Sequence, residues 1–444
     1  MQEIYNDDSI FCGYVSRNVC ETLLITFAPL NGAGENQKIW GQSLKSEKFN
    51  ILGLVAKNRS WYPDESIQRI QEKCKDLLKN YKTIICYGTS AGAYASIKYG
   101  HYFQATSILA FSPIFSIRID EIDVSLDHRF FRFYKDGLTG GCKIISDEIK
   151  CPVYIVYDKY YRWDKYNSEL IYNLSEKIEL INCPFTGHFP ILTINSSRKI
   201  ENIIDLCNVR NTIGISNIIH ESRKPSAIRI KCIVEYICLN KKRWIDVASS
   251  ISKNHSERLN INDKSSVNVT LARTYKNQGK LEESLKHYNL AIELSPNNAL
   301  YIREIASLYL QLDNISQSEI FIYRSLSLNL NCCHAWNTLT SIMLRTKRYH
   351  SAYDAIKRAI EIHPHQDFYK RLCSIAERLS LFEELLEYAQ IGIDLFGTVE
   401  FHRFLIKASM HTTLKSNLNN IVENALKLYP EDPFLLTLKV PQTC

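Results

Sequence analysis

A serine set between two glycines, Gly88-Thr89-Ser90-Ala91-Gly92, follows a β-rich run, 83–87, and leads into a helical one, 93–99. Glycines lack a Cβ, so the chain can turn sharply there from strand to helix and hold the hydroxyl in a strained, exposed position. To attack a carbonyl, that hydroxyl needs a base to take its proton and an acid to orient the base. The chain offers both downstream. His188 lies in the loop Pro184-Phe185-Thr186-Gly187-His188, just after the β-rich run 178–182, and Gly187 permits an unusual backbone beside it. Two aspartates compete for the acid. Asp158 ends the run 153–157 and is the first choice, while Asp164 precedes the helical run 165–174, where an N-cap role would also explain it. His101 and His128 rival His188, but His101 lies about one helix length from Ser90.

A tetrahedral intermediate also needs N–H donors for its oxyanion. The backbone N–H of Ala91 is one candidate. The second comes from the loop Ala28-Pro29-Leu30-Asn31-Gly32, where Pro29 cannot donate and Ala28 or Leu30 remains. Trp61 and Tyr62 are candidates to border a substrate cleft, and Arg129 and Arg132 to meet an anionic group on the substrate, against structural and surface roles for the same residues. The aromatic run Phe130, Phe131, Phe133 and Tyr134 either lines an acyl or sugar pocket or packs beneath the sheet.

The elements that must position these residues read as a mostly parallel sheet flanked by helices. Near-continuous apolar strands are expected at 22–28, 49–55, 83–87, 107–111, 153–157 and 178–182, with an amphipathic helix at 65–81. After a polar stretch, 208–226, the periodicity becomes wholly helical. Leu271, Ala272, Tyr275, Gly279, Ser284, Tyr288, Ala291 and Pro296 have the spacings of a repeat of about 34 residues that resembles the tetratricopeptide repeat. Further units follow around Ala306 and Ala352, and degenerate ones are expected beyond Pro364 and at 228–253. Such arrays bind protein surfaces or self-associate.

Composition narrows the classes further. Lys and Arg outnumber Asp and Glu by 54 to 47 without a basic block, which argues against nucleic acid as a partner. The 14 cysteines form no CxxC pair and no Cys/His cluster of zinc spacing, so a reducing cytoplasm fits, with no metal and no organic cofactor expected. The first residues carry no signal-peptide pattern, and no apolar run is long enough for an integral membrane segment.

Ser60-Trp61-Tyr62, the stretch Tyr87-Gly88-Thr89-Ser90-Ala91-Gly92-Ala93-Tyr94-Ala95, Ala110-Phe111-Ser112-Pro113, Tyr157-Asp158 with Asp164, and Gly187-His188 together resemble a group of bacterial α/β-hydrolase-fold proteins. Members are often linked to repeat domains or to enzymes of surface-glycan assembly. The elbow departs from the family's usual small-Ser-Met-Gly-Gly pattern at Ala91 and Ala93. The resemblance implies an α/β-hydrolase domain at 1–210, to which the helical periodicity adds a linker at 211–226 and an all-α repeat array at 227–444. It further implies a serine esterase acting on an acyl ester, a glycan-linked ester among the candidates, with a protein partner or self-association through the repeats. An inactive adaptor and an acyltransferase of glycan assembly are the alternatives.

Overall fold

The computed structural model describes residues 1–17, 19–30, 39–42, 44, 46–135, 140–194 and 196–438. The chain divides into two compact units, 1–260 and 261–444.

The first unit is built on one eight-stranded sheet. Its strands are β1 (Gln2–Asn6), β2 (Ile10–Val15), β3 (Thr22–Phe27), β4 (Phe49–Ala56), β5 (Thr83–Thr89), β6 (Ser107–Phe111), β7 (Val153–Tyr157) and β8 (Ile178–Asn182), in the order β1-β2-β4-β3-β5-β6-β7-β8. From β4 through β8 neighbouring strands run parallel, and the hairpin β1–β2 adds antiparallel to β4. Six strands match the expected ones; the hairpin was not anticipated. Its turn is held by Asp7, whose Oδ1 accepts from the Ser9 and Ile10 N–H groups at 2.8 and 2.6 Å.

Side-chain alternation divides the central strands between two cores. In β5, Ile84 and Cys86 enter one apolar cluster and Ile85 and Tyr87 the other; in β7, Val153 and Ile155 oppose Tyr154 and Val156. Both faces are buried, so the strands read as continuous apolar runs. One cluster is completed by α1 (Asp64–Leu78), α2 (Ala91–Tyr99) and α3 (Arg162–Tyr172). The other is completed by α4 (Ser197–Asn208) and α5 (Thr212–Arg223). The segment expected as a linker is therefore largely helix. Asn211 caps α5 by accepting from the Gly214 N–H, and Ile215 and Ile219 join the sheet's core. Their spacing of one helical turn was the signal overlooked beneath the polar composition.

Two more helices, α6 (Ala227–Asn240) and α7 (Ile245–Asn254), also belong to this unit rather than to the array. The second unit begins at Ile261.

In the second unit, helices pair as α8 (Ile261–Asn277) with α9 (Leu281–Leu294), α10 (Ala299–Gln311) with α11 (Ile315–Leu328), α12 (Cys333–Arg345) with α13 (Tyr349–Ile362), and α14 (Gln366–Arg378) with α15 (Phe382–Phe396). Then follow α16 (Val399–Ser409), α17 (Leu418–Leu428) and α18 (Pro433–Thr437). Where paired helices approach, one contact recurs. Ser284 Oγ donates to the Ala272 carbonyl at 2.8 Å, and Ser318 Oγ donates to that of Ala306 at the same distance. A small residue permits the approach, and the hydroxyl finds an acceptor on arrival. The turn inside each pair takes a left-handed backbone, at Gly279, Asp313, Lys347 and Ser380. Only the first is glycine, so the later turns left no such mark in the sequence.

The elbow depends on two close approaches. A Cβ on Gly88 would lie 2.2 Å from the Gly92 carbonyl oxygen, and one on Gly92 would lie 2.1 Å from that of Phe27. We expect Gly92→Ala to destabilise the first unit by about 3 kcal/mol, because backbone must move to admit the methyl group, and urea unfolding of the full chain checks this.

Candidate functional site

The strained conformation falls on the serine itself. Ser90 has φ 56° and ψ −120° at the junction of β5 and α2, and its own N–H donates to the Phe111 carbonyl at 2.9 Å. Such a backbone is costly for a residue with a side chain and persists only where neighbours enforce it. Here they include α2, buried along its whole length. The half-buried Ser90 hydroxyl is thereby lifted clear of the sheet's end.

His188 reaches it from the loop after β8. Its Nε2 lies 2.9 Å from Ser90 Oγ, and its Nδ1 lies 2.8 and 2.9 Å from the two carboxylate oxygens of Asp164. Nδ1–H donating to Asp164 leaves Nε2 as the acceptor for the serine proton. The acid beside the histidine is thus Asp164, not the first choice, Asp158.

The two aspartates have different tasks. Asp164 stands in the first turn of α3, yet it is no N-cap: that position is Tyr161, which makes no side-chain cap bond. Fully buried, Asp164 turns its carboxylate to His188 and Arg129. Asp158 Oδ2 accepts the Thr186 and Gly187 N–H groups at 2.8 and 2.9 Å, and its Oδ1 accepts that of Tyr160. Burial pushes the Asp158 carboxyl above its ordinary pKa, although these N–H bonds oppose the shift. Asp158 therefore holds the loop that carries the histidine.

Arg129 is not a free anion receptor. Its guanidinium makes a two-pronged contact with Asp127, at 2.9 and 2.8 Å, and a third with Asp164 at 3.1 Å. It is flanked by the rings of Phe130, Tyr161 and Trp163. Burial opposes its charge, but the hydrogen bonds and charges of the two aspartates outweigh this and raise its pKa. For Asp127, burial likewise opposes ionisation, and Arg129 still holds the carboxyl below its ordinary value. Asn167 completes the group, donating to Asp127 Oδ2 and accepting the Phe115 N–H, each at 2.8 Å. Asp127 and Asn167 were not anticipated. The Asp-x-Arg spacing was visible, but nothing in it distinguishes a buried pair from a solvated one.

Other expectations are also redistributed. Trp61 and Tyr62 are fully buried, the Tyr62 hydroxyl donates to the Ala28 carbonyl at 2.6 Å, and the Trp61 ring packs edge-on against Tyr94 and Phe130. They belong to the core, not to a cleft wall. Phe130, Phe133 and Tyr134 pack against the same cluster, and the Arg132 guanidinium lies over the Phe133 ring. Ala28 cannot serve the oxyanion, because its N–H donates to the Leu54 carbonyl at 3.0 Å. Ala91, the first residue of α2, has an N–H that the helix itself leaves without a partner. Leu30 keeps its candidacy, while Asn31 and Gly32 lie outside the described residues. His101 and His128 take no part in the contacts of Ser90. No group of metal-ligating side chains occurs among the described residues.

Helix α6 leans on this site from behind. Tyr236 packs against Tyr160 and Phe185, which stack on each other at 4.6 Å, and a Cβ on Gly187 would lie 3.4 Å from Cys232 Sγ. The loops bearing Asp158 and His188 thus have a helix behind them that sequence reading had assigned to the array.

Comparison with known proteins bears on the repeats. A tetratricopeptide repeat family model matches residues 266–298. The MamA protein has 14% identity and a TM-score of 0.35, covering 40% of this chain and 98% of its own. PilF of Pseudomonas aeruginosa has 9% identity and a TM-score of 0.38, covering 47% and 96%. YrrB, described as a TPR protein with an unusual peptide-binding site, has 13% identity and a TM-score of 0.35, covering 39% and 90%. No curated protein matches the chain significantly. The second unit is an all-helical, tetratricopeptide-like array, and no described helix is long and apolar enough to cross a membrane.

Asp164→Asn should slow labelling of Ser90 by a fluorophosphonate about 1,000-fold or more, by disturbing the histidine's tautomer. Asp158→Asn should instead lower stability by about 1–3 kcal/mol while its folded fraction still labels. Rates of probe incorporation beside urea unfolding separate the two. Arg129→Ala should destabilise by about 3–5 kcal/mol, since it removes the guanidinium bound to two buried carboxylates, and adding Asp127→Asn should recover part of that loss. Because the native Asp127 pKa is depressed, its contribution is present above about pH 4 and is lost as pH falls through the native value, so the parent's advantage over Asp127→Asn should shrink in acid.

Proposed function

We propose that residues 1–260 form a serine hydrolase of α/β-hydrolase type that cleaves an acyl ester, and that the tetratricopeptide-like array binds a protein partner. The observation that carries the hydrolase reading is the continuous hydrogen-bonded line from Ser90 Oγ through both nitrogens of His188 to Asp164. The strand order and the succession Ser, Asp, His along the chain agree with it.

In this reading Ser90 Oγ bonds to the ester carbonyl carbon as its proton passes to His188 Nε2, and the carbonyl electrons move to oxygen facing the Ala91 N–H. Collapse breaks the bond to the alcohol oxygen, which takes the proton from His188. Water then gives a proton to the same nitrogen and attacks the acyl-serine, and collapse returns the proton to Ser90 and releases the carboxylic acid. While His188 is neutral, Arg129, Asp127 and Asp164 sum to one negative charge beside it; when His188 is protonated, the group is formally neutral. The enclosed charges are therefore balanced in the intermediate, where the imidazolium forms.

Incubated with p-nitrophenyl acetate and butyrate, the full chain should release p-nitrophenol with turnover, and Ser90→Ala and His188→Ala should reduce the rate at least about 1,000-fold with unchanged circular dichroism. A folded parent that neither turns over esters nor takes up a fluorophosphonate would leave the array as the working part, as in an adaptor.

A further inference from the structure

Behind the loop that carries His188, arginines from separate elements converge on one another. Arg223 is the last residue of α5, Arg229 stands in the first turn of α6, and Arg258 follows α7. Arg229, Cys232 and Tyr236 have the spacing of one helical face, and the last two meet Gly187 and Phe185. Arg229 therefore begins the face of α6 that backs the loop. Arg223 comes to the same place from α5. Burial pushes the thiol of Cys183, the residue after β8, up to about 11, and Arg223 is near enough to oppose this.

These arginines hold donors that nothing accepts. The Nε atoms of Arg223 and Arg229 are both shut off from water, and neither has an acceptor among the described residues. The same holds for the hydroxyl of Ser222, a residue only 3% exposed. Arg223 otherwise meets the ring nitrogen of His220 at 3.3 Å, which is a neutral partner while that ring is unprotonated. Nearby carboxylates are placed elsewhere: Glu221 holds Lys224 at 2.7 Å, and Glu257 approaches Arg258 only at 3.8 Å. Burial pushes the pKa of Arg229 down, and the charges of Arg223 and Arg258 push it further. The contrast with Arg129 is direct, since that guanidinium has two aspartates to balance it. A buried donor without an acceptor and a cation facing cations both cost stability, and here the two costs fall on the same side chains.

The backbone beside them adds more donors. Ser226, in the cap position of α6, makes no side-chain cap bond, so it satisfies none of the N–H groups in the first turn. That end of a helix also favours negative charge. Guanidinium forks from two helices, together with these N–H groups, suit an anion that accepts from several directions at once. A phosphate group does so, with tetrahedral oxygens and about two charges, whereas a carboxylate offers two coplanar oxygens and one.

We propose that Arg223 and Arg229, with the first turn of α6, form a binding site for a phosphate group, taken either as the free ion or as the phosphomonoester of a small metabolite. The anion supplies the missing acceptors and ties α5 to the face of α6 that packs on Phe185 and Gly187. The site is distinct from the line of Ser90, His188 and Asp164, and it stands whether or not that line cleaves esters.

The test uses the full chain in phosphate-free buffer. Isothermal titration with inorganic phosphate should give a Kd of about 1 mM or tighter. Melting is followed by tryptophan fluorescence, because Trp40, Trp61, Trp163 and Trp244 all lie in the first unit and only Trp336 in the second. Phosphate at about 10 mM should raise that melting temperature by about 3 °C or more over sodium chloride of equal ionic strength. Arg223→Gln and Arg229→Gln should each weaken phosphate binding about tenfold or more, whereas Lys224→Gln, which removes a cation already paired with Glu221, should change it less than about twofold, with circular dichroism checking that all are folded. Glycerol 3-phosphate separates the two sources: binding as tight as that of the free ion, or tighter, assigns the site to a phosphorylated metabolite, and binding of the free ion alone assigns it to inorganic phosphate. Without phosphate, Arg229→Met should melt no lower than the parent, because it keeps an apolar stem and removes a charge that meets only like charges. Failure of both phosphates to bind, a shift no greater than that from chloride, indifference to both arginine substitutions, or a lower melting temperature of Arg229→Met in phosphate-free buffer would overturn the proposal.

Discussion

The first unit depends on how closely α2 approaches the end of β3. Gly92 has the Phe27 carbonyl where a side chain would be, and Gly88 has the Gly92 carbonyl in the same relation. This proximity forces the chain to reverse within one residue, and Ser90 absorbs the reversal with a positive φ. The glycines themselves do not carry the unusual backbone angle. They remove the atoms that would prevent a serine from carrying it, and the sheet's two buried faces keep both partners in place.

A second constraint is electrostatic. Two aspartates and an arginine lie close together with little water, which is tolerable because each finds directed partners. Arg129 ties Asp127 to Asp164, Asn167 ties Asp127 to the segment after β6, and Asp158 gathers the loop leading to His188. The histidine is consequently held from two sides: its ring by Asp164, and the two residues before it by Asp158. Aspartates that look interchangeable along the chain divide ring orientation from loop shape.

The array solves a different problem with a repeated answer. Each helix pair must approach its own partner closely and still present a face to the next, so small residues recur inside the pair and polar ones recur along the first helices. The Ser284 and Ser318 hydroxyls bond carbonyls of the facing helix, giving polarity to a dry contact at no cost in unmet donors. Arg303 and Arg371, at one repeat position, line two cavities, and Arg371 also bonds Asn337 and Ser341 on the preceding first helix. Interior and groove are thus written at different positions of the same period.

Local periodicity in the sequence was enough to locate six strands, the elbow, the histidine loop and the helical repeats, because each is encoded within a few neighbouring residues. Alternation buried on both faces marks β5 and β7, and the recurrent Ala and Ser mark the helix pairs. Tertiary structure decided what depends on distant segments meeting. It selected Asp164 over Asp158, since a helix's first turn and a strand's end point different ways. It buried Trp61 and Tyr62, drew Arg129 to two carboxylates, and gave 211–223 and α6 to the sheet unit. A charged or aromatic residue has the same letter whether it faces water, a core or an opposite charge, and only the folded neighbours determine which.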